Sequence, residues 1–205
     1  AHLLESEEGN SSREEIVQYA GSIVTASARL EALIENYLIY AQVELINTDP
    51  SEVQAARNHI VKDYAKITAA AATKIATAYD RVDDLQLDLS PLAIRISEFD
   101  LNKIITELVD NAFKFSEAGS PVVIRATREE DLLYIQIADQ GRGMTREEIK
   151  LLDAYMQFGR ELYEQQGPGL GFAVAKRLIQ LHEGAINVES EPKRGTRVSL
   201  RFLAS

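Results

Sequence analysis

Residues 107–116 read Glu-Leu-Val-Asp-Asn-Ala-Phe-Lys-Phe-Ser, and this stretch with the residues before it predicts a helix over about 99–115. At 3.6 residues per turn, the apolar residues share one broad face. They are Leu101, Ile104, Ile105, Leu108, Val109 and Ala112. Glu107, Asn111 and Lys114 lie close to one line on the opposite face. A carboxylate can accept a proton, an amide oxygen can ligate a hard cation, and an ammonium can contact phosphate. On its own, this stripe also fits the solvated face of an ordinary amphipathic helix.

Composition bounds the class of protein. The chain has 205 residues, of which 45% are hydrophobic, so it can bury a sizeable core. Its net charge of -10 argues against nucleic acid as a partner. Cysteine is absent, which excludes disulfides, thiolate nucleophiles and cysteine-based zinc sites. His2, His59 and His182 lie far apart and lack metal-ligand spacing. No apolar run is long enough to cross a membrane, so we expect a cytoplasmic chain, or the soluble part of a larger or membrane-bound protein.

A long helix is predicted over residues 13–46, because apolar residues recur there every seven positions in three rows. The resulting stripe is wider than the seam of a simple two-stranded coil and indicates a helical bundle. One chain supplies too few helices for such a bundle. We therefore expect a homodimer through helix 13–46, with residues 1–7 as the end of the other arm of a helical hairpin. The alternative is a long helix packed on its own domain.

The segment 47–51 contains Pro50 and ends the heptad pattern, which places a domain boundary between residues 47 and 48. The first domain, 1–47, is then a partial dimerisation segment, and the second covers 48–205. A second helix is predicted over about 52–79. The period then changes to two, which predicts strands. These lie at about 85–89, 92–96, 121–127, 132–138, 185–190 and 196–203, and a further helix is predicted at about 171–183.

An acidic residue ends one of these strands on its buried side. Leu133, Ile135 and Ile137 share a face, and Asp139 continues that face by parity. A carboxylate is costly to bury without a partner, so Asp139 should have a designated one. Gly141 and the glycine two residues later remove side chains directly after it, so backbone can approach a flat ligand closely. This pattern favours a ligand amine as the partner, although a simple glycine-containing turn fits it as well.

A second glycine cluster, Gly167-Pro168-Gly169-Leu170-Gly171, opens the helix predicted at about 171–183. A glycine-rich loop at a helix N-terminus presents free N–H groups to phosphate. The cluster is neither a Walker loop nor a dinucleotide fingerprint, because it lacks the Lys-Ser/Thr pair of the one and the spacing and preceding strand of the other.

The order of these motifs resembles the N, G1, F, G2 and terminal Gly-Thr boxes of sensor histidine kinases. The motifs are the 107–116 stretch, Asp139-x-Gly-x-Gly, Tyr155-x-x-Phe158-x-Arg160, Gly167-x-Gly-Leu-Gly and Gly195-Thr196. These kinases belong to the ATPase superfamily shared with Hsp90, DNA gyrase and MutL. The resemblance covers about residues 50–205, and residues 1–46 look like the end of a dimerisation and phosphotransfer hairpin. It implies an α+β fold: a helical hairpin, then a two-layer α/β sandwich with about five strands in a mixed sheet and helices on one face.

The resemblance also implies roles for individual residues. Asn111 would bind a Mg²⁺ that bridges the phosphates of ATP, and Glu107 would act as base or orient water or the acceptor imidazole. Lys114 would contact phosphate. Asp139 would accept from the adenine amine, aided through water by Thr196. The other ATP-binding residues it implies are Phe115, Gly141, Gly143, Tyr155, Phe158, Arg160, Gly167, Gly169, Leu170 and Gly171. The segment 154–166 would form a mobile lid.

The implied function is transfer of the γ-phosphate of Mg-ATP to a histidine, for relay to an aspartate of a response-regulator receiver domain. In this family the acceptor lies in the first hairpin helix. His2 lies too close to the hairpin tip, so we expect the acceptor upstream of this chain. One alternative is an ATP-driven clamp of the Hsp90 or MutL type, which the N-terminal helical segment and the lack of a transducer domain disfavour. The other is a degenerate, non-catalytic dimeric scaffold, which the presence of Asn111, Asp139 and the glycines disfavours.

Overall fold

The computed structural model describes residues 13–157 and 169–205. The chain divides into two compact units, residues 1–38 and 39–205. The domain boundary at residues 47 and 48 stays a prediction.

Helix α1 spans Arg13–Ile46, which confirms the long N-terminal helix. In the part of α1 that belongs to the first unit, the large apolar side chains are exposed. They are Ile16, Val17, Ile23, Val24, Leu30, Leu33, Ile34, Tyr37 and Leu38. Helices draw most of their stability in proteins from burial of an apolar face. This stripe therefore lacks, among the described residues, the cover that would stabilise it.

The second unit is built on a mixed sheet, which within the described residues has five strands. These are β1 (Leu85–Asp88), β2 (Val122–Glu129), β3 (Leu132–Ala138), β4 (Ala185–Glu191) and β5 (Gly195–Leu203). The order across the sheet is β1-β2-β3-β5-β4. β1 runs parallel to β2, and the other neighbours are antiparallel. The strands predicted at about 121–127 and 132–138 are thus confirmed, and they pair as a hairpin.

The helices of this unit are α2 (Pro50–Arg57), α3 (Tyr64–Ala78), α4 (Glu98–Phe115), α5 (Arg146–Gln157) and α6 (Leu170–Leu181), with a 3₁₀ turn at Val82–Asp84. α4 packs between α3 and α6 and lies on β2 and β3. α3 also contacts β1, and α6 contacts β4. The predicted α+β fold is thus confirmed. None of the described helices is both long and apolar enough to span a bilayer.

α4 is the predicted central helix, and its ends and its buried face follow from local chemistry. The Ser97 hydroxyl accepts a hydrogen bond from the Asp100 amide at 3.0 Å and caps the N-terminus. All six residues of the predicted apolar face are buried, together with Lys103 and Phe113. Burying one Leu, Ile or Val side chain is worth about 1.5–3 kcal/mol, so this face holds the helix on the sheet.

The prediction of a single helix over 52–79 is wrong, because a non-helical segment separates α2 from α3. Asn58 ends α2, and the Asp63 carboxylate accepts from the Lys66 amide at 3.2 Å to begin α3. Asn and Asp side chains compete with helical hydrogen bonds and favour such ends. Between them, Val61 is buried and pairs with Ile94 through two backbone hydrogen bonds of 2.9 and 3.0 Å.

The strand predicted over 92–96 is also wrong. Ile94 and Ile96 are buried, as the alternation indicates. Ile94, however, makes only isolated bridges, one to Val61 and one to Ala204. The chain turns at Ser97 to begin α4, which leaves no length for a ladder of paired residues. The alternation of apolar and polar residues over 92–96 therefore reflects alternate burial of side chains and not a strand of the sheet.

A buried arginine closes the C-terminal end of α4. Arg81 is 7% exposed, and its guanidinium lies 4.9 Å from the centroid of the Phe113 ring. It donates to the carbonyls of Phe113, Ser116, Glu117 and Ser120 at 2.6–3.0 Å. Its Nε donates to Asp84 Oδ2 at 2.6 Å. Carbonyls at a helix C-terminus lack intrahelical partners, so one side chain here replaces a turn of capping bonds.

We predict that Arg81→Ala destabilises the protein by about 3–5 kcal/mol, because it leaves buried carbonyls without a donor. Urea unfolding measures this. The control is Arg125→Ala, whose Nε lies 4.0 Å from Asp88 on the exposed surface, and which should change stability by at most about 0.5 kcal/mol. Equal effects of the two substitutions would show that Arg81 does not hold the end of α4.

Candidate functional site

An apolar slot lies between α4 and the sheet, and it collects five of the predicted site residues. They are Asn111, Phe115, Asp139, Gly143 and Thr196. The rest of the lining is mostly apolar and consists of Leu108, Ala112, Ile137, Arg142, Met144, Leu152, Phe172, Val188 and Val198. A mostly apolar concavity with a few convergent polar groups is the usual form of a small-molecule site.

Asp139 stands at the end of β3, as parity predicts, and it is half buried. Its Oδ1 accepts from the amide of Gly141 at 2.8 Å and from the amide of Thr196 at 3.3 Å. Burial raises the pKa of the Asp139 carboxyl above its ordinary value, and the two amide hydrogen bonds offset part of that effect. Oδ2 has no hydrogen-bond partner within the described parts of the chain, so one acceptor remains for a ligand.

The glycines after Asp139 allow close backbone contacts. A Cβ at Gly141 would overlap the carbonyl oxygen of Phe115, which accepts from the Arg142 amide at 3.0 Å. Gly143 has φ +62°, and a Cβ there would overlap the carbonyl oxygen of Glu191. The loop after β3 therefore packs against the end of α4 on one side and against the β4–β5 turn on the other.

Glu107 lies outside the lining of the slot, at the start of α6. A Cβ at Gly171 would overlap Glu107 Oε2, so glycine is what lets this carboxylate reach the helix end. Lys103 Nζ lies 2.9 Å from Glu107 Oε1, and Lys103 is 8% exposed. Lys103 is not among the predicted site residues. Its i, i+4 spacing to Glu107 is the signal that could have identified the pair.

The remaining predicted site residues lie apart from the slot or outside the described residues. Lys114 is exposed, with its Nζ 5.4 Å from the centroid of the Phe115 ring. Gly169 and Leu170 lie at the start of α6, and a Cβ at Gly169 would meet no atom within 4 Å. His2, Phe158, Arg160, Gly167, the Tyr155 side chain and most of the predicted lid lie outside the described residues.

Other lining residues were also missed. Arg142 stands between the two glycines, with its guanidinium 5.0 Å from the centroid of the Phe115 ring and 3.0 Å from Glu148. Val188 and Val198 are paired across β4 and β5, and their strand parity with Thr196 could have placed them on the slot. Met144 lies in the loop after β3 and Leu152 in α5, and no periodic pattern in the sequence marks them.

A profile of the family described as histidine kinase-, DNA gyrase B- and HSP90-like ATPase matches residues 96–205, just over half of the 205 residues. The chain belongs to this family, and the predicted resemblance to the ATP-binding domain of sensor histidine kinases is confirmed.

Two curated relatives are sensor kinases. The sensor histidine kinase RcsC of Escherichia coli strain K12 is 28% identical over 183 residues, which cover 86% of this chain and 18% of RcsC. The sensor protein GacS of Pseudomonas syringae pv. syringae is 31% identical over 193 residues, which cover 90% of this chain and 21% of GacS. The chain thus spans about a fifth of the length of these relatives.

A solved structure shares the fold. The Acinetobacter baumannii histidine kinase AdeS superposes with a TM-score of 0.66 at 20% sequence identity, over 98% of this chain and 89% of that one.

We predict that Asp139→Asn raises the thermal stability of the ligand-free protein at neutral pH. The folded-state pKa of Asp139 is raised, so ionising it costs stability as pH rises through that pKa. Below the ordinary value of 3.8 the carboxyl is protonated in both states, and the difference from wild type should vanish. Melting temperatures across pH 3–8 measure this. A variant that is less stable than wild type at neutral pH would contradict the assignment of the raised pKa to burial.

Proposed function

We propose that this chain is the ATP-binding core of a two-component sensor histidine kinase. It transfers the γ-phosphate of Mg-ATP to a histidine, from which the phosphoryl group passes to an aspartate of a response-regulator receiver domain. The observation that carries this proposal is Oδ2 of Asp139, which has no partner among residues 13–157 and 169–205 and lies at the end of an apolar slot that Asn111 also lines. The family match and the sensor kinases among the relatives support it.

The slot suits an adenine base. Its apolar walls favour a flat aromatic ring, and the unpaired oxygen of Asp139 accepts a hydrogen bond from the exocyclic amine. Gly143 lines the slot without a side chain, which leaves room for the ring. Thr196 lies beside Asp139 and completes the polar end of the slot.

Asn111 fits the role of a Mg²⁺ ligand. Within the described residues its carboxamide has no hydrogen-bond partner, although the side chain is half buried on the wall of the slot. Mg²⁺ in phosphate sites takes one or two protein oxygens and fills its other positions with phosphate and water. Asn111 Oδ1 would be the protein oxygen here. The bound ion supplies charge neutralisation for phosphoryl transfer.

Glu107 and the start of α6 would serve the phosphate end. The first amides of a helix lack intrahelical partners and favour an anion, and α6 begins at Leu170 beside the Glu107 carboxylate. The Lys103 ammonium fixes the direction of that carboxylate. Glu107 is thus held where it can orient an acceptor imidazole or accept its proton. Lys114, which is exposed and lies outside the lining of the slot, would contact phosphate from the solvent side.

The acceptor histidine is a separate question. His182 is buried, and its Nε2 lies 2.7 Å from Asp100 Oδ2, so it cannot meet a phosphate. His59 is exposed between α2 and α3. We propose that neither is the acceptor. Labelling of the full-length protein with γ-labelled ATP, followed by peptide mapping of the acid-labile label, tests this. A label on His59 would overturn it.

A cytoplasmic location of the protein stays a prediction.

We also propose that α1 forms a homodimer. The exposed apolar row of residues 16–38 favours a partner of the same chemistry, and a second copy of the helix has it. Sedimentation equilibrium should find a dimer, which Val24→Glu dissociates. A wild-type monomer at concentrations well above those used for the nucleotide measurements would contradict this pairing.

We expect micromolar binding of Mg-ATP by the chain, which isothermal titration calorimetry measures. Asn111→Ala should weaken Mg-ATP binding about tenfold or more, and omission of Mg²⁺ should bring wild type close to the variant, since both then lack the metal contact. The matched control is Asn102→Ala, an exposed asparagine on the same helix, which should bind as wild type does.

Two results would contradict the proposal. If the wild-type chain binds no ATP, the slot is vestigial and a non-catalytic scaffold is the better account. If Asn111→Ala and Asn102→Ala bind Mg-ATP equally well, Asn111 is not the metal ligand.

A further inference from the structure

A serine next to a lining residue of the slot connects the polar end of the slot to the loop after β3 and to the start of β5. Ser190 is the next-to-last residue of β4 and pairs with Thr196 of β5 in the sheet register. Two residues farther from the turn, the paired Val188 and Val198 line the slot, so the serine and the threonine belong to the same face of the sheet. Thr196 also lines the slot, whereas Ser190 is half buried and is not one of the lining residues.

The Ser190 hydroxyl has three polar contacts. The Met144 amide donates to Ser190 Oγ at 2.8 Å. Ser190 Oγ in turn donates to the Gly195 carbonyl oxygen at 2.8 Å. The third contact is with Thr196 Oγ1, at 3.0 Å. The serine therefore joins the loop after β3, the β4–β5 turn and a side chain of the slot through one oxygen atom.

The number of protons decides the direction of the third contact. A hydroxyl has one proton and two acceptor lone pairs. The Gly195 carbonyl can only accept, so it takes the Ser190 proton, and the Met144 amide can only donate, so it takes one lone pair. Thr196 must then donate to the remaining lone pair of Ser190. The single Thr196 proton points away from the slot, and its lone pairs are left for a ligand.

The polar end of the slot consequently presents acceptors. At neutral pH the Asp139 carboxylate has no proton to give, and its unpaired Oδ2 is an acceptor. With its proton committed to Ser190, Thr196 is an acceptor as well. A 6-amino purine in direct contact brings N–H donors to this end, whereas a 6-oxo purine places a carbonyl oxygen opposite the two acceptors.

We propose that Ser190 is a positioning residue that sets the hydrogen-bond direction of Thr196, and that it thereby selects 6-amino over 6-oxo purine nucleotides. This inference rests on the nucleotide site proposed above. It assigns a role to a residue that does not line the slot and that acts only through Thr196.

Ser190→Ala removes the acceptor for Thr196 and frees the threonine proton to rotate toward the slot. Thr196 can then donate to a 6-oxo group. We expect the ratio of ATP affinity to inosine triphosphate affinity to fall roughly three- to tenfold, mainly because inosine triphosphate binds better. Competition binding of the two nucleotides, which differ at position 6 of the base, measures the ratio.

Three further variants separate selection from simple weakening of the fold. Ser190→Thr keeps the hydroxyl and should keep the wild-type ratio. Thr196→Val removes the group through which Ser190 acts, so adding Ser190→Ala to Thr196→Val should leave the ratio of that variant unchanged. A ratio that falls by the same factor with and without Thr196 would overturn the inference, as would equal weakening of both nucleotides by Ser190→Ala.

A measurement without nucleotide tests the contact itself. The Met144 amide loses its acceptor in Ser190→Ala, so its hydrogen exchange should accelerate about tenfold or more, while Ser190→Thr should retain protection. Unchanged Met144 exchange in Ser190→Ala overturns the inference. If wild type binds neither nucleotide, the proposed function and this inference both fail; if wild type prefers ATP and Ser190→Ala keeps the preference, the inference alone fails.

Discussion

Helix α4 buries one face against β2 and β3, and α3 and α6 pack on either side of it. This burial determines the direction in which the polar side chains of the helix point. Once Leu108 and Ala112 face the core, the helical period leaves Asn111 on the wall of the slot and Glu107 beside the start of α6. Ser97 caps the N-terminus of the helix, and Arg81 binds the carbonyls at its C-terminus. The site is therefore a consequence of how the core is packed.

The Asp139 carboxylate in the slot lowers the stability of the ligand-free protein. Asp139 is held half buried by two backbone amides that occupy one of its oxygens, and burial raises its pKa. Such a group is less favourable in the empty protein than a neutral one of the same shape, because ionisation in a partly dry site is costly. The ligand amine proposed above would offset that cost. Local instability of this kind is typical of binding sites.

Sequence reasoning succeeded where the determinants are local. The faces of α4, the parity that brings Asp139 to the end of β3, and the glycines beside it all follow from period and residue type. It failed where distant segments meet. The burial of Val61 against Ile94 interrupts the helix predicted over 52–79. The contacts of Arg81 with the end of α4 join residues more than thirty positions apart. No sequence pattern marks Ser190, because its role comes from contacts with Met144 in the loop after β3 and with Gly195 and Thr196 of β5.

The central claim is that Asp139 and Asn111 define the two ends of one nucleotide site. A crystal structure of the chain with Mg²⁺ and a non-hydrolysable ATP analogue tests it most directly. The account predicts the adenine amine about 3 Å from Asp139 Oδ2 and the metal about 2.1 Å from Asn111 Oδ1. A nucleotide bound elsewhere, or one in the slot whose amine faces away from Asp139, would contradict it.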